Sequence, residues 1–120
     1  MKGIMKKPCK DCPFRNNLPD HLKGWLGRER AQGIIDSCVE GDEYFQCHKD
    51  NSLICAGAIL LDLNNNNGEG YANKSTRMLI AFGLLEPEEM RGAEDVFKNS
   101  KEFVDFHTNE LYDYCIDYDE

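Results

Sequence analysis

The sequence predicts a mainly α, small single domain: four or five helices, with short extended segments, packed around a four-cysteine metal site. Three observations predict it. A chain of 120 residues with 41% hydrophobic composition is long enough for one domain with a core of its own. Apolar residues recur at helical intervals in successive stretches. The cysteines Cys9, Cys12, Cys47 and Cys55 stand in phrases that suit metal ligands.

From Pro19 to Cys38 the apolar residues Leu22, Trp25, Leu26, Ile34, Ile35 and Cys38 keep helical spacing, with Asp20 near the start and Gly41 past the end. Gly24 and Gly27 predict a bend or a break inside it. Tyr44 to Cys47 is short and aromatic and reads as a strand or an extended approach to the metal. Cys55 to Leu61 is apolar on all sides, so period alone does not separate helix from buried strand; the small residues at its start favour a helix packed tightly below the site.

The run Asn64-Asn65-Asn66-Asn67-Gly68-Glu69-Gly70 is expected to bury nothing and to form an exposed loop. Ser75 to Phe82 places Met78, Leu79 and Phe82 on one helical face, and Gly83 is a stop signal. Glu86-Pro87-Glu88-Glu89 looks like a helix start, with Pro in the first turn and acids at the positive end of the dipole. A last amphipathic helix begins at Ser100, with Phe103, Phe106, His107, Leu111 and Tyr114 at helical spacing. The domain is expected to span residues 1–120, its acidic helix and tail beginning at about 100.

The chemistry lies in the cysteines. Cys9 and Cys12 have two residues between them, the spacing at which one turn presents both sulfurs to an ion about 2.3 Å away. Pro8 and Pro13 stiffen the flanks. Cys47 and Cys55 are the second pair. Zinc and an iron–sulfur cluster both accept four thiolates; the spacing matches no ferredoxin run, and zinc leads over a [4Fe–4S] cluster. His48 follows Cys47 directly and reads as a donor to a sulfur or a surface imidazole, ahead of a ligand in a shell of three cysteines and one histidine. Arg15 reads as structural support, donating to the thiolates or holding a carboxylate. Cys38 and Cys115 read as free helical thiols, and His21 and His107 as surface or helix-edge imidazoles.

Charge is uneven. Residues 1–60 carry nine Lys/Arg against eight Asp/Glu and residues 61–120 carry five against fourteen, so the net −8 is the sum of +1 in the first half and −9 in the second. Such a surface repels phosphates and suits a basic or DNA-binding protein partner, which argues against direct nucleic-acid binding. A knuckle-like contact with nucleic acid would fall to Phe14 and Arg15 as the stacking pair. The N-terminal residues lack the apolar stretch of a signal peptide, and no run reaches the length of a membrane span, so a reducing cytoplasm is the expected compartment.

No activated nucleophile, phosphate loop or carboxylate pair stands at convincing spacing; Pro8-Cys9-x-x-Cys12 is present, but the His-x-Glu that a deaminase needs is not. A closed four-thiolate site points to structure rather than catalysis. An iron–sulfur redox or cofactor-dependent enzyme using the same cysteines is the alternative.

With Pro8 to Arg15, Trp25, Phe45 to His48 and Cys55 to Gly57 assembled, the chain resembles a family of small uncharacterised cysteine-rich proteins of bacteriophages and actinobacteria. That family shows Pro-Cys-x-x-Cys-Pro-aromatic-Arg, then Trp, Phe-x-Cys-His and Cys-Ala-Gly. Arg77 to Gly83 and Ser100 to Phe103 look similar to its later helices. Ala58 stands where members often have Trp. The resemblance implies one shared metal site and carries no activity; it suggests a phage accessory, host-interaction or counter-defence protein.

Overall fold

The protein is described here by a computed structural model over residues 3–8, 12–46 and 53–108. Among these residues the α-helices are α1 (Arg28–Ile34), α2 (Ala56–Asn65), α3 (Lys74–Ala81) and α4 (Ser100–His107). Two short parallel strands, β1 (Gly3–Ile4) and β2 (Leu53–Ile54), pair Gly3 with Leu53 and Ile4 with Ile54. The domain is mainly α with short extended segments, as its periodicity predicts.

Helix α2 is the centre. Every residue from Ala56 to Asp62 is buried, which explains a run without a polar face. One side meets Phe14, Leu26, Ala31, Ile35, Val39, Val96, Phe97 and Phe103, the larger core. The other gives Ile59 to a smaller cluster with Ile54, Leu79 and Leu85. The predicted break in the first helix falls where expected: Gly24 and Gly27 adopt φ of 81° and 88°, and α1 begins only at Arg28. It continues as a π turn, Ile35–Val39, that closes with the Glu40 amide donating to the Ile35 carbonyl at 2.8 Å.

Helix α3 ends as Gly83 predicts. The Leu84 amide reaches back to the Leu79 carbonyl (2.9 Å) and the Gly83 amide to Ile80 (3.0 Å), a Schellman closure that requires the left-handed φ of 74° at Gly83. Its inward face differs from expectation. Thr76 and Leu79 are buried, whereas Met78 and Phe82 face solvent. The segment at Glu86 forms a single 3-10 turn, Pro87–Glu89, and a second follows at Ala93–Asp95.

The asparagine run is corrected more fully. Asn64 and Asn65 are the last residues of α2, and each side chain fastens another part of the chain. Asn64 Nδ2 donates to the carbonyls of Ala93 (3.0 Å) and Phe97 (3.1 Å). Asn65 accepts from the Ser100 amide (2.7 Å) and donates to its hydroxyl (2.6 Å), joining α2 to the start of α4. Asn66 returns to Asp62. Asp62 in turn accepts from the Ala72 and Asn73 amides at 2.9 and 3.0 Å; burial raises its carboxyl pKa, and these bonds only partly counter it. Buried Asn73 then caps α3 through the Thr76 amide and donates to the carbonyls of Cys38 and Glu43.

His107, expected at the surface or helix edge, is fully buried. Phe103 and Phe106 ring it at 4.8 and 4.9 Å, Trp25 approaches at 5.9 Å, and Nε2–H donates to the Pro13 carbonyl at 2.8 Å. Burial holds its pKa below the ordinary 6.5. The unfolded chain therefore takes up this proton first as pH falls through about 6.5, and stability drops on the acid side by up to about 1.4 kcal/mol per pH unit. Melting temperatures of the protein and of His107→Gln, measured from pH 7.5 to 5, should converge as the pH falls. Parallel curves would show that the imidazole does not titrate between the two states.

Candidate metal centre

Two of the four predicted ligands lie within the described residues, and the fold brings them into contact. Cys12 and Cys55, 43 positions apart, place their sulfurs 3.6 Å from each other. Both are buried, at 0% and 3% exposure. The separation is far beyond the S–S bond of about 2.05 Å. It is close to the edge of about 3.8 Å between two ligands of a tetrahedral ion with Zn–S bonds of about 2.3 Å.

The approach is built from both sides. Cys55 is the N-cap residue of α2, and its own amide donates to the Phe45 carbonyl at 2.8 Å, which carries the chain from β2 into the helix. The cap makes no side-chain hydrogen bond of normal geometry, yet the thiol sits against the opening amides of the helix. The Cys12 sulfur first, and after it the Ala58 and Gly57 amides, hold the Cys55 thiol below its ordinary pKa, against the burial that would raise it. A sulfur at a helix N-terminus is favoured as thiolate, the form that binds metal.

Cys12 is set by the segment that follows it. The Arg15 amide closes a turn on the Cys12 carbonyl (3.1 Å). Arg15 then bridges Val96 in antiparallel sense, with the Phe97 amide donating to the Phe14 carbonyl at 3.2 Å and the Asn16 amide to Asp95 at 2.8 Å. Phe14 is fully buried, stacked on Phe103 at 4.8 Å and edge-on to Phe45 at 5.2 Å. The turn carrying Cys12 is thereby pinned to α4 and to the strand-like residues before Cys47. The second residue of α2 has to be Gly57, because a Cβ there would stand 2.5 Å from the Cys12 sulfur.

Arg15 reaches the other flank. Its guanidinium donates to the Pro8 carbonyl at 3.1 Å and approaches the Asp95 carboxylate at 3.8 Å, so it joins the residue before Cys9 to the turn after Cys12. Pro8 is buried and packs on Gly92. On the far side, Gln46 bridges Ile54 in antiparallel sense. Cys9, Cys47 and His48 lie outside the described residues. Among the described residues no group of three or more His, Cys, Asp or Glu side chains gathers as a metal site.

One reading changes. Phe14 cannot serve as a stacking platform for a base, since its ring is sealed between Phe45 and Phe103. Gly57 and Phe103 support the site: the small residues after Cys55 predict close packing below it, and the structure adds that Gly57 lies against the Cys12 sulfur and Phe103 on the Phe14 ring. Cys38 lies in the π turn, half-buried, its thiol 3.4 Å from the Ser37 hydroxyl and pushed up in pKa by burial. Cys115 falls outside the described residues.

No family model, curated protein or solved structure matches this chain. Among the described residues no helix is long and apolar enough to cross a membrane.

Proposed function

We propose that this protein is a small zinc-stabilised protein-interaction module, with Cys9, Cys12, Cys47 and Cys55 as the ligands. The observation that carries the reading is the contact of the Cys12 and Cys55 sulfurs at 3.6 Å. Two thiolates so close suit one shared ion. In a [4Fe–4S] cubane each iron takes one outward-pointing thiolate, which sets the sulfurs farther apart than the irons they bind. The described flanks of the other two cysteines support the same convergence: Pro8 is tied through Arg15 to the Cys12 turn, and Gln46 is bridged next to Cys55. Arg15, and His48 beside Cys47, are the supporting residues in this reading.

Burial of both described ligands favours a closed structural site over a catalytic one, which keeps an open position. Function then falls to the surface. Glu86, Glu88, Glu94 and Glu102 are exposed on the acidic half of the chain, and the partner we propose is a basic or DNA-binding protein engaged through them, as a phage accessory or counter-defence protein would do in a reducing cytoplasm. Metal analysis of protein purified without oxygen tests the centre. One zinc per chain in a colourless preparation is the expected result. A brown preparation with stoichiometric iron and sulfide would move the assignment to an iron–sulfur redox protein, and metal-free protein of unchanged stability would remove the centre altogether.

A further inference from the structure

We infer that the Cys12 and Cys55 pair is a redox switch on the metal centre: hydrogen peroxide joins the two sulfurs in a disulfide, and the ion leaves while the new bond keeps the N-terminal turn on α2. The inference rests on the zinc reading above and adds the regulation of that site. The geometry is already set for it. The sulfurs lie 3.6 Å apart, so a bond of about 2.05 Å asks for an approach of about 1.5 Å, shared between two side chains. Each backbone is held from outside the pair, Cys12 by the Arg15 amide on its carbonyl and Cys55 by its own amide on the Phe45 carbonyl, and the bare Gly57 leaves the Cys12 sulfur its place on the first turn of α2. Among the described residues the remaining thiol, Cys38, belongs to the π turn and is engaged with the Ser37 hydroxyl and the Tyr44 carbonyl.

Burial selects the oxidant. At 0% and 3% exposure neither sulfur admits the in-line approach of a bulky disulfide, whereas hydrogen peroxide is little larger than water. Cys55 keeps the residual exposure and takes the first step. Its thiolate attacks one peroxide oxygen, the O–O bond breaks, and the hydroxide that leaves is protonated to water. The sulfenic acid so formed on Cys55 lies against Cys12. The Cys12 thiolate attacks the Cys55 sulfur, the S–S bond forms, the S–O bond breaks, and a second hydroxide leaves as water. Two thiolates have given two electrons to one peroxide, and two protons end in water. A disulfide no longer supplies the thiolates that bind metal, so the ion loses two ligands and dissociates. The cross-link passes to the new bond, which joins residues 43 positions apart and restricts the unfolded chain.

The test treats the full chain, purified reduced with its zinc, with hydrogen peroxide or with oxidised glutathione while a chromogenic chelator reads the released metal. Peroxide should release about one zinc per chain as about two free thiols are lost, and oxidised glutathione should act at least about tenfold more slowly. Peptide mapping should find the Cys12–Cys55 bond, and dithiothreitol with added zinc should restore the starting state. The oxidised, zinc-free protein should keep more helical signal on heating than protein reduced and stripped by a chelator. No variant is needed, so misfolding cannot mimic the result. Zinc retained under peroxide, a disulfide mapped to Cys9 and Cys12 instead, sulfinic acid without any S–S bond, or faster release by glutathione would overturn the switch and leave the zinc centre standing. An untreated preparation without zinc would remove the centre and the switch together.

Discussion

On the zinc assignment proposed above, Cys55→Ser is expected to lose the ion and cooperative folding together, and a strong chelator should do the same to the parent protein. Structural zinc sites bind with about 10–16 kcal/mol of apparent free energy, as large as the whole stability of about 5–15 kcal/mol of a typical domain. Cys55 also starts the buried central helix and faces Cys12 at 3.6 Å, so its replacement removes the buried sulfur contact that joins the Cys12 turn to α2. Cys38→Ser provides the contrast. Its thiol sits in the π turn, only half-buried, and its loss should change stability by less than about 1 kcal/mol. Circular dichroism melting combined with zinc quantification reads all three proteins. A Cys55→Ser variant that melts with the parent would mean that the fold stands without the ion, and the structural role would fall with it.

How far the sequence shows this in advance depends on the range of each interaction. Cys-x-x-Cys is local chemistry and readable directly, but the contact that decides the geometry joins one member of that pair to Cys55, and only tertiary structure makes it. The asparagine run misleads for a related reason. Composition marks Asn64 to Asn67 as turn-forming, whereas the side-chain amides of Asn64 and Asn65 are spent on carbonyls and amides 29 to 35 positions away, on the 93–97 segment and Ser100. His107 follows the same logic: it shares the helical face of Phe103, and its neutral imidazole is buried with Nε2–H donating to Pro13. Helix α3 shows the limit of periodicity in a short element. With eight residues, Met78 and Phe82 on one side and Leu79 at its border, the apolar stripe fits two rotations of the helix, and the core selected the one that buries Leu79 with Thr76.

Gly57→Ala should be among the most damaging single methyl additions in the protein, while Gly33→Ala should stabilise it. At position 57 the new carbon would lie 2.5 Å from the Cys12 sulfur and 2.8 Å from Phe14 Cβ, both inside any real contact distance. Neither neighbour is the free end of a flexible chain. The sulfur belongs to the pair with Cys55, and Phe14 is locked by its stack on Phe103 and its backbone pairing with Phe97. Relief requires α2 to move away from the Cys12 turn, at a cost near or above the upper end of the roughly 1–3 kcal/mol typical of overpacking. The movement also opens the Cys12–Cys55 contact, so zinc affinity should fall with stability. At position 33, within α1, nothing lies within 4 Å of the added carbon, and replacing glycine in a helix interior is worth roughly 0.5–1 kcal/mol. Opposite shifts in melting temperature, with zinc weakened only in Gly57→Ala, are the expected pattern. Equal effects at the two glycines would mean that the sulfur does not rest on the first turn of α2.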